Sequence, residues 1–194
     1  MNMKRLLISA LLLIGIFQMN ANAQQKFEKE SRLKPDDFPK KALQFIEAVE
    51  METNWKWYFE ENLQGNSVEA KTKHQGKRYS VEFDTSGKIQ DVEVEKSWQE
   101  MDEPLRSNIL QALDSIFNSH KIDKIQIQYS AENPVLLAIL NNKTDFSNFK
   151  VQYEIVVKGK KTGRPKLYEL TFTENGELLE SSEIIFRNTD NLEY

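Results

Sequence analysis

Tyr79-Ser80-Val81-Glu82-Phe83-Asp84-Thr85-Ser86-Gly87-Lys88-Ile89 returns downstream as Tyr168-Glu169-Leu170-Thr171-Phe172-Thr173-Glu174-Asn175-Gly176-Glu177-Leu178. Tyr, Phe and Gly recur at one spacing. In both copies the apolar residues alternate with polar ones, as on a strand with one buried face. A polar turn containing Gly follows, and then a second apolar run, which is the pattern of an antiparallel hairpin. The chain thus carries the same hairpin twice.

Each hairpin lies downstream of a helix pattern. Asp36-Asp37-Phe38-Pro39 opens the first, with Asp36 or Asp37 as cap and Pro39 in the first turn. Phe38, Ala42, Phe45, Ile46 and Val49 then fall on one helical face. The second opens with Asp102-Glu103-Pro104 and places Leu105, Ile109, Ala112, Leu113 and Ile116 at the same intervals. Strands are expected over 54–61, 67–74, 77–84 and 88–96 after the first helix, and over 122–129, 149–158, 166–173 and 178–186 after the second. An insertion at 130–148 interrupts the second half. It contains a short apolar helix started at Pro134 and capped by Asn133.

Alternation assigns the faces. Val68 and Ala70, Val81 and Phe83, Ile125 and Ile127, Ile155 and Val157, and Leu170 and Phe172 point one way. Their neighbours, among them Glu69, Lys71, Lys73, Ser80, Glu82, Gln126, Glu154 and Glu169, point the other. The expectation is an α+β fold of two tandem helix–four-strand repeats forming one curved antiparallel sheet, with helices packed on one face and water on the other. The division is a first repeat over 36–98 and a second over 99–186, with a flexible leader at 24–35 and a frayed tail at 187–194.

Residues 1–23 read as a signal peptide: Lys4 and Arg5, an apolar run from Leu6 to Phe17, and Ala21-Asn22-Ala23 as a small-x-small cleavage site. The run is too short to span a bilayer comfortably, so no membrane insertion is expected after cleavage. The compartment is periplasmic or secreted, in a Gram-negative bacterium. Loss of Lys4 and Arg5 leaves 24 basic and 30 acidic groups, net −6. That balance argues against nucleic acid or an anionic membrane surface as partner. The absence of cysteine excludes disulfides, thiol catalysis and thiolate metal sites.

A helix followed by antiparallel strands with a Y-x-x-x-F-x-x-x-G hairpin (Tyr79, Phe83, Gly87; Tyr168, Phe172, Gly176), repeated in tandem behind a signal peptide with Pro39 and Pro104 at the helix starts, resembles the PepSY-like family. More closely it is similar to that family's exported beta-lactamase-inhibitor-like branch. The resemblance covers about residues 36–186. It implies two α–β repeats joined in one curved sheet, no enzymatic activity, and protein binding. The insertion departs from the pattern. So does the wet face, which is poor in the Trp, Tyr and Arg that make tight hot spots. Beta-lactamase inhibition is therefore not carried over.

No G-x-S-x-G, H-E-x-x-H or Walker loop is present. His74 and His120 have no ligand-spaced companions, so no metal and no cofactor are expected. The densest aromatic stretch is Trp55-Lys56-Trp57-Tyr58-Phe59. As a strand it turns Trp55, Trp57 and Phe59 to the first helix and leaves Tyr58 outside. Trp98 is expected at the junction between the halves. The candidate binding residues are Tyr58, Trp57, Trp98, Lys71, Lys73 and Phe146.

The leading expectation is an exported non-catalytic protein, monomer or weak dimer, that recognises another envelope protein through its open sheet face or loops. The alternative is a small-ligand or peptide carrier with a pocket between the repeats, lined by the Trp55 strand and Trp98. An unrecognised hydrolase ranks last.

Overall fold

The structure, a computed structural model, describes residues 24–62, 65–143 and 147–186. The expected signal peptide, the tail and Phe146 lie outside the described residues. Nine strands carry the fold: β1 Gln24–Leu33, β2 Lys56–Asn62, β3 Gly65–His74, β4 Lys77–Asp84, β5 Ile89–Glu95, β6 Ser119–Ser130, β7 Lys150–Lys160, β8 Lys166–Thr173 and β9 Leu178–Phe186. Three helices join them: α1 Lys40–Glu47, α2 Glu103–Ile116 and α3 Asn133–Leu140. The chain is α+β, and each strand from β2 to β9 pairs antiparallel with the next.

The sheet is not open. Residues 24–28 of β1 pair parallel with β9, and residues 29–33 pair antiparallel with β2. One strand thus splints the two free edges into a closed barrel. The sequence reading placed a flexible leader here, because Gln24–Leu33 lacks the alternation of a half-buried strand. Backbone pairing and ions hold it instead: Lys26 Nζ meets Glu169 at 2.6 Å, and Glu30 meets Lys71 Nζ at 2.6 Å.

The two quoted stretches fold alike. Asp84 N–H donates to Lys88 O at 2.9 Å, and Gly87 N–H to Asp84 O at 2.9 Å. Thr173 N–H donates to Glu177 O at 2.9 Å, and Gly176 N–H to Thr173 O at 3.0 Å. In each turn the first side chain braces the loop: Asp84 Oδ1 accepts from the Ser86 and Lys88 amides, and Thr173 Oγ1 from those of Asn175 and Glu177. Both glycines have positive φ (+83° and +82°) and lie against a helix start. A methyl group at Gly87 would touch Pro39 and the Ala42 amide. At Gly176 it would touch Leu105 and Asn108. A residue with a Cβ is unfavourable there twice over.

The apolar core lies outside the barrel wall, under the helices, in two clusters. α2 lays Leu105, Ile109 and Leu113 against Ile125, Ile155, Leu170 and Phe172. α1 contributes Ala42, Phe45 and Ile46, with Phe38 ahead of it, against Val68, Val81 and Phe83. With eight residues α1 is too short to cover that part of the wall. α3 completes the cover: Leu136 and Leu140 are fully buried in the first cluster. The 130–148 insertion therefore covers the cluster under α1 and not the one under α2. Asn141 locks the junction, accepting from the Glu50 amide at 2.7 Å.

Helix starts differ in detail from the sequence reading. Asp36 and Asp37 form a short 3-10 turn with Pro35, and α1 begins after Pro39, which stands at its N-cap. The residue before α3 is Glu132, and Asn133 is its first helical residue.

Candidate functional site

Closure inverts the meaning of the alternating pattern. The face expected to meet bulk water lines the barrel lumen, and the helices coat the outside. The lumen holds a cavity of about 710 Å³. Its walls carry eight Glu carboxylates and six Lys or Arg side chains, with Tyr58 among them.

The interior is ordered in rows, because adjacent strands place register partners side by side. The deep row runs Glu69 on β3, Glu82 on β4 and Asp91 on β5, each directly opposite the next. Glu69 and Asp91 are buried, 7% and 9% exposed. One row nearer the mouth stand Lys71, Ser80 and Glu93. The outermost row pairs Lys73 with Arg78, whose Nε lies 3.7 Å from Glu95. Lys56, Lys73, Arg78 and Lys124 line the cavity and are exposed, so the mouth is basic while the floor is acidic.

Polar contacts knit this interior. Ser80 Oγ donates to Glu69 Oε1. Glu69 Oε2 lies 2.6 Å from Lys71 Nζ, off the hydrogen-bonding direction, so the contact is an ion pair. Gln126 Nε2 donates to Glu93 at 2.6 Å, and Gln128 Nε2 to Glu154 at 3.0 Å. Asp91 Oδ2 accepts only a long bond from Gln128, 3.4 Å, and Asp91 Oδ1 has no partner among the described residues.

Like charges side by side away from water favour protonation. Burial pushes Asp91 well above the usual carboxylate range, with Glu82, Glu154 and Glu69 adding to it. Burial and the Asp91 charge raise Glu93 to about 8. Glu154 is raised well above its ordinary value by burial and by the Glu93 and Glu169 charges. Burial raises Glu82 as well. For Lys71 burial opposes the ammonium, but Glu69 and Glu30 outweigh it and hold the group above the usual lysine range.

The structure divides the six residues singled out in the sequence. Lys71, Lys73 and Tyr58 come together in the lumen, with Lys71 Nζ 5.2 Å from the Tyr58 ring centre. Tyr58 thus faces the cavity and not the exterior. Trp57 packs outward on the Phe38 ring at 4.8 Å. Trp98 packs on the second core cluster, away from the cavity. Phe146 lies outside the described residues. Glu69, Glu82 and Glu154, which the alternation marked only as water-facing, make up the floor with Glu93, and Asp91 lies behind them, opposite Glu82.

Among the described residues, no group of three or more His, Asp or Glu is placed to hold a metal ion. His120 Nε2 lies 2.9 Å from Asp114. A second concavity, of about 540 Å³, lies outside the wall beside the end of α3, lined by Ile127, Tyr129, Ile139, Phe149, Val151 and Tyr153, with Asn142, Lys143 and Glu174 at its rim. It carries fewer charged groups than the lumen. No helix among the described residues is long and apolar enough to cross a membrane.

No protein-family model matches this chain, and no curated protein matches it. Solved structures of related shape come from Bacteroides. A DUF2874 family protein of Bacteroides ovatus is 13% identical, aligned over 75% of this chain and 87% of that one, with a TM-score of 0.48. A BLIP-like protein of Bacteroides fragilis is 18% identical over 79% of this chain and 91% of that one, with a TM-score of 0.46. A protein of Bacteroides eggerthii is 14% identical over 75% and 88%, with a TM-score of 0.44. At this distance the likeness assigns no activity, and the lumen has to be read from its own geometry.

Proposed function

We propose that this is an exported, non-catalytic binding protein, periplasmic or secreted, that holds a small polar ligand inside its barrel. The observation that carries this reading is the half-open cavity of about 710 Å³ with charged and hydrogen-bonding groups converging on it. Sites of that volume accommodate small molecules, and a closed barrel of eight or so strands has an interior of that scale. On this reading the protein is built as two tandem helix–four-strand units whose polar faces are turned inward by β1. The carrier expected from the sequence is kept, and its site moves from a groove near Trp98 to the lumen.

Recognition of an envelope protein is left to the loops and the outer surface, since the sheet face expected to be open lines the barrel. Closure also pairs both sheet edges, which removes the usual route to strand-mediated dimers and favours a monomer.

The test is a thermal-shift and calorimetric screen of the mature chain against small polar metabolites, with Ser80→Phe as a filled-lumen control. Ser80 is buried on the cavity wall. Binding by the native chain that is lost in a folded Ser80→Phe variant is the expected result. Binding unaffected by the filling, or none across the screen, would remove the lumen as the site.

A further inference from the structure

We infer that the lumen takes a zwitterion, an amino acid or short peptide, with its ammonium group on the acidic floor and its carboxylate at the basic mouth. This rests on the lumen being a binding site and adds the chemistry and orientation of the ligand.

The floor is the first observation. Glu69, Glu82 and Asp91 stand in register on three adjacent strands, an arrangement that is unfavourable between carboxylates unless something positive or a proton lies among them. Lys71 neutralises the Glu69 end, and Lys26, whose ammonium is paired with Glu169, acts on Glu82 and Asp91 only through space. At the other end Asp91 is nine-tenths buried and its Oδ1 has no partner among the described residues. A buried acceptor left unmatched normally has a donor supplied from somewhere. The missing partner is a donor, ideally a charged one, since bonds between ammonium and carboxylate are the strong kind. A bare metal ion fits poorly, because no three carboxylates among the described residues converge as ligands.

The mouth is the second, independent observation. Lys56, Lys73 and Lys124 line the cavity, are exposed, and make no ion pair among the described residues. Arg78 beside them is engaged only loosely, by Glu95 at 3.7 Å. A molecule entering between four cations and ending against Glu69 and Glu82, with Asp91 behind them, is matched at both ends only if it carries both charges. The α-ammonium and α-carboxylate of a peptide do so, and the polar wall between (Ser80, Gln126, Tyr58) offers hydrogen bonds to amide groups. The raised affinity of the floor for protons adds a signature: an incoming ammonium displaces protons, so binding near neutral pH releases them.

The probes are trialanine, N-acetyl-trialanine and trialanine amide, titrated by calorimetry in two buffers of different ionisation enthalpy. Trialanine is expected to bind, with proton release. Acetylation, which removes the ammonium, is expected to weaken binding at least tenfold, and amidation, which removes the exposed carboxylate, by less. Asp91→Asn and Glu82→Gln, each checked for native circular dichroism, are expected to narrow the gap between free and acetylated peptide, and Lys73→Gln that between free and amidated. Equal binding of free and acetylated peptide, or uptake of protons, overturns the orientation. No peptide binding alongside lumen binding of another polar molecule overturns the ligand class but leaves the lumen as the site. No lumen ligand of any kind overturns both.

Discussion

Glu93→Gln tests the buried acidic lumen through stability alone, without any ligand. Glu93 is flanked by Asp91 and Glu69, by Lys124 and by Glu154. Its proton affinity rises from an ordinary 4.5 to about 8 on folding, chiefly through burial. The folded state therefore holds a proton that the unfolded chain has lost. Stability from this group is complete below about pH 4.5 and is lost as pH rises through about 8. At about 1.36 kcal/mol per tenfold change in proton affinity, the loss is on the order of 5 kcal/mol. For a chain of this size that corresponds to roughly 10 °C in melting temperature. Asp91, Glu154 and Glu82 are shifted in the same direction and steepen the fall. The exposed carboxylates of Asp84 and Glu100 are held below their ordinary values, so their contribution is already complete above about pH 5.

Gln in place of Glu93 keeps the shape, still accepts from Gln126, and cannot ionise. Urea unfolding followed by tryptophan emission at pH 5.5, 7.0 and 8.5 should show wild-type stability falling with pH. In Glu93→Gln the fall should be shallower by about 2 kcal/mol or more. A wild-type profile that is flat or rises over this range, or a variant with the same slope, would refute the reasoning.

Gly176→Ala combines a left-handed backbone with a methyl group 2.8 Å from Asn108 Cβ, and should cost about 1–3 kcal/mol by denaturant unfolding. Gly163→Ala, with φ +66° but nothing within 4 Å, should cost less. Leu140→Ala, which empties a fully buried site in the first cluster, should cost about 2–4 kcal/mol and establish the insertion as core structure. A mature chain lacking residues 24–33 should expose the edges of β2 and β9. It is expected to self-associate in sedimentation and to lose amide protection along β9.

The elements that bury one apolar face were legible. β4, β8 and β9 have the ranges read from alternation, and α2 buries Leu105, Ile109 and Leu113 as its spacing implies. Burial of one face against helices leaves a periodic signature in composition. What the other face meets leaves none. A charged row such as Lys71, Glu69 and Glu82 reads the same whether it looks onto bulk water or into a lumen. The difference was set by β1, whose Gln24–Leu33 run is polar throughout and carries no periodic signal. Its parallel pairing with β9 joins residues more than 150 apart, which no local pattern encodes. The candidate lumen shows the same limit: of the residues singled out, Lys71, Lys73 and Tyr58 line it, while the carboxylates beneath them read in sequence as a solvated face. One warning was available in the sequence. Glu82 and Asp91 fall opposite each other once the Gly87 hairpin is registered, and like charges so placed ask for an explanation.

The central claim is that this charged face is enclosed, and the native absence of cysteine makes it directly testable. Single variants Ser80→Cys, on the cavity wall, and Lys88→Cys, in the exposed Gly87 turn, can be labelled with a polyethylene-glycol maleimide too large for a cavity of about 710 Å³. The account predicts rapid labelling at position 88 and strong protection at position 80 in the folded chain, the protection vanishing in urea. Equal rates at the two positions in the folded chain would mean that the sheet is open, and would contradict it.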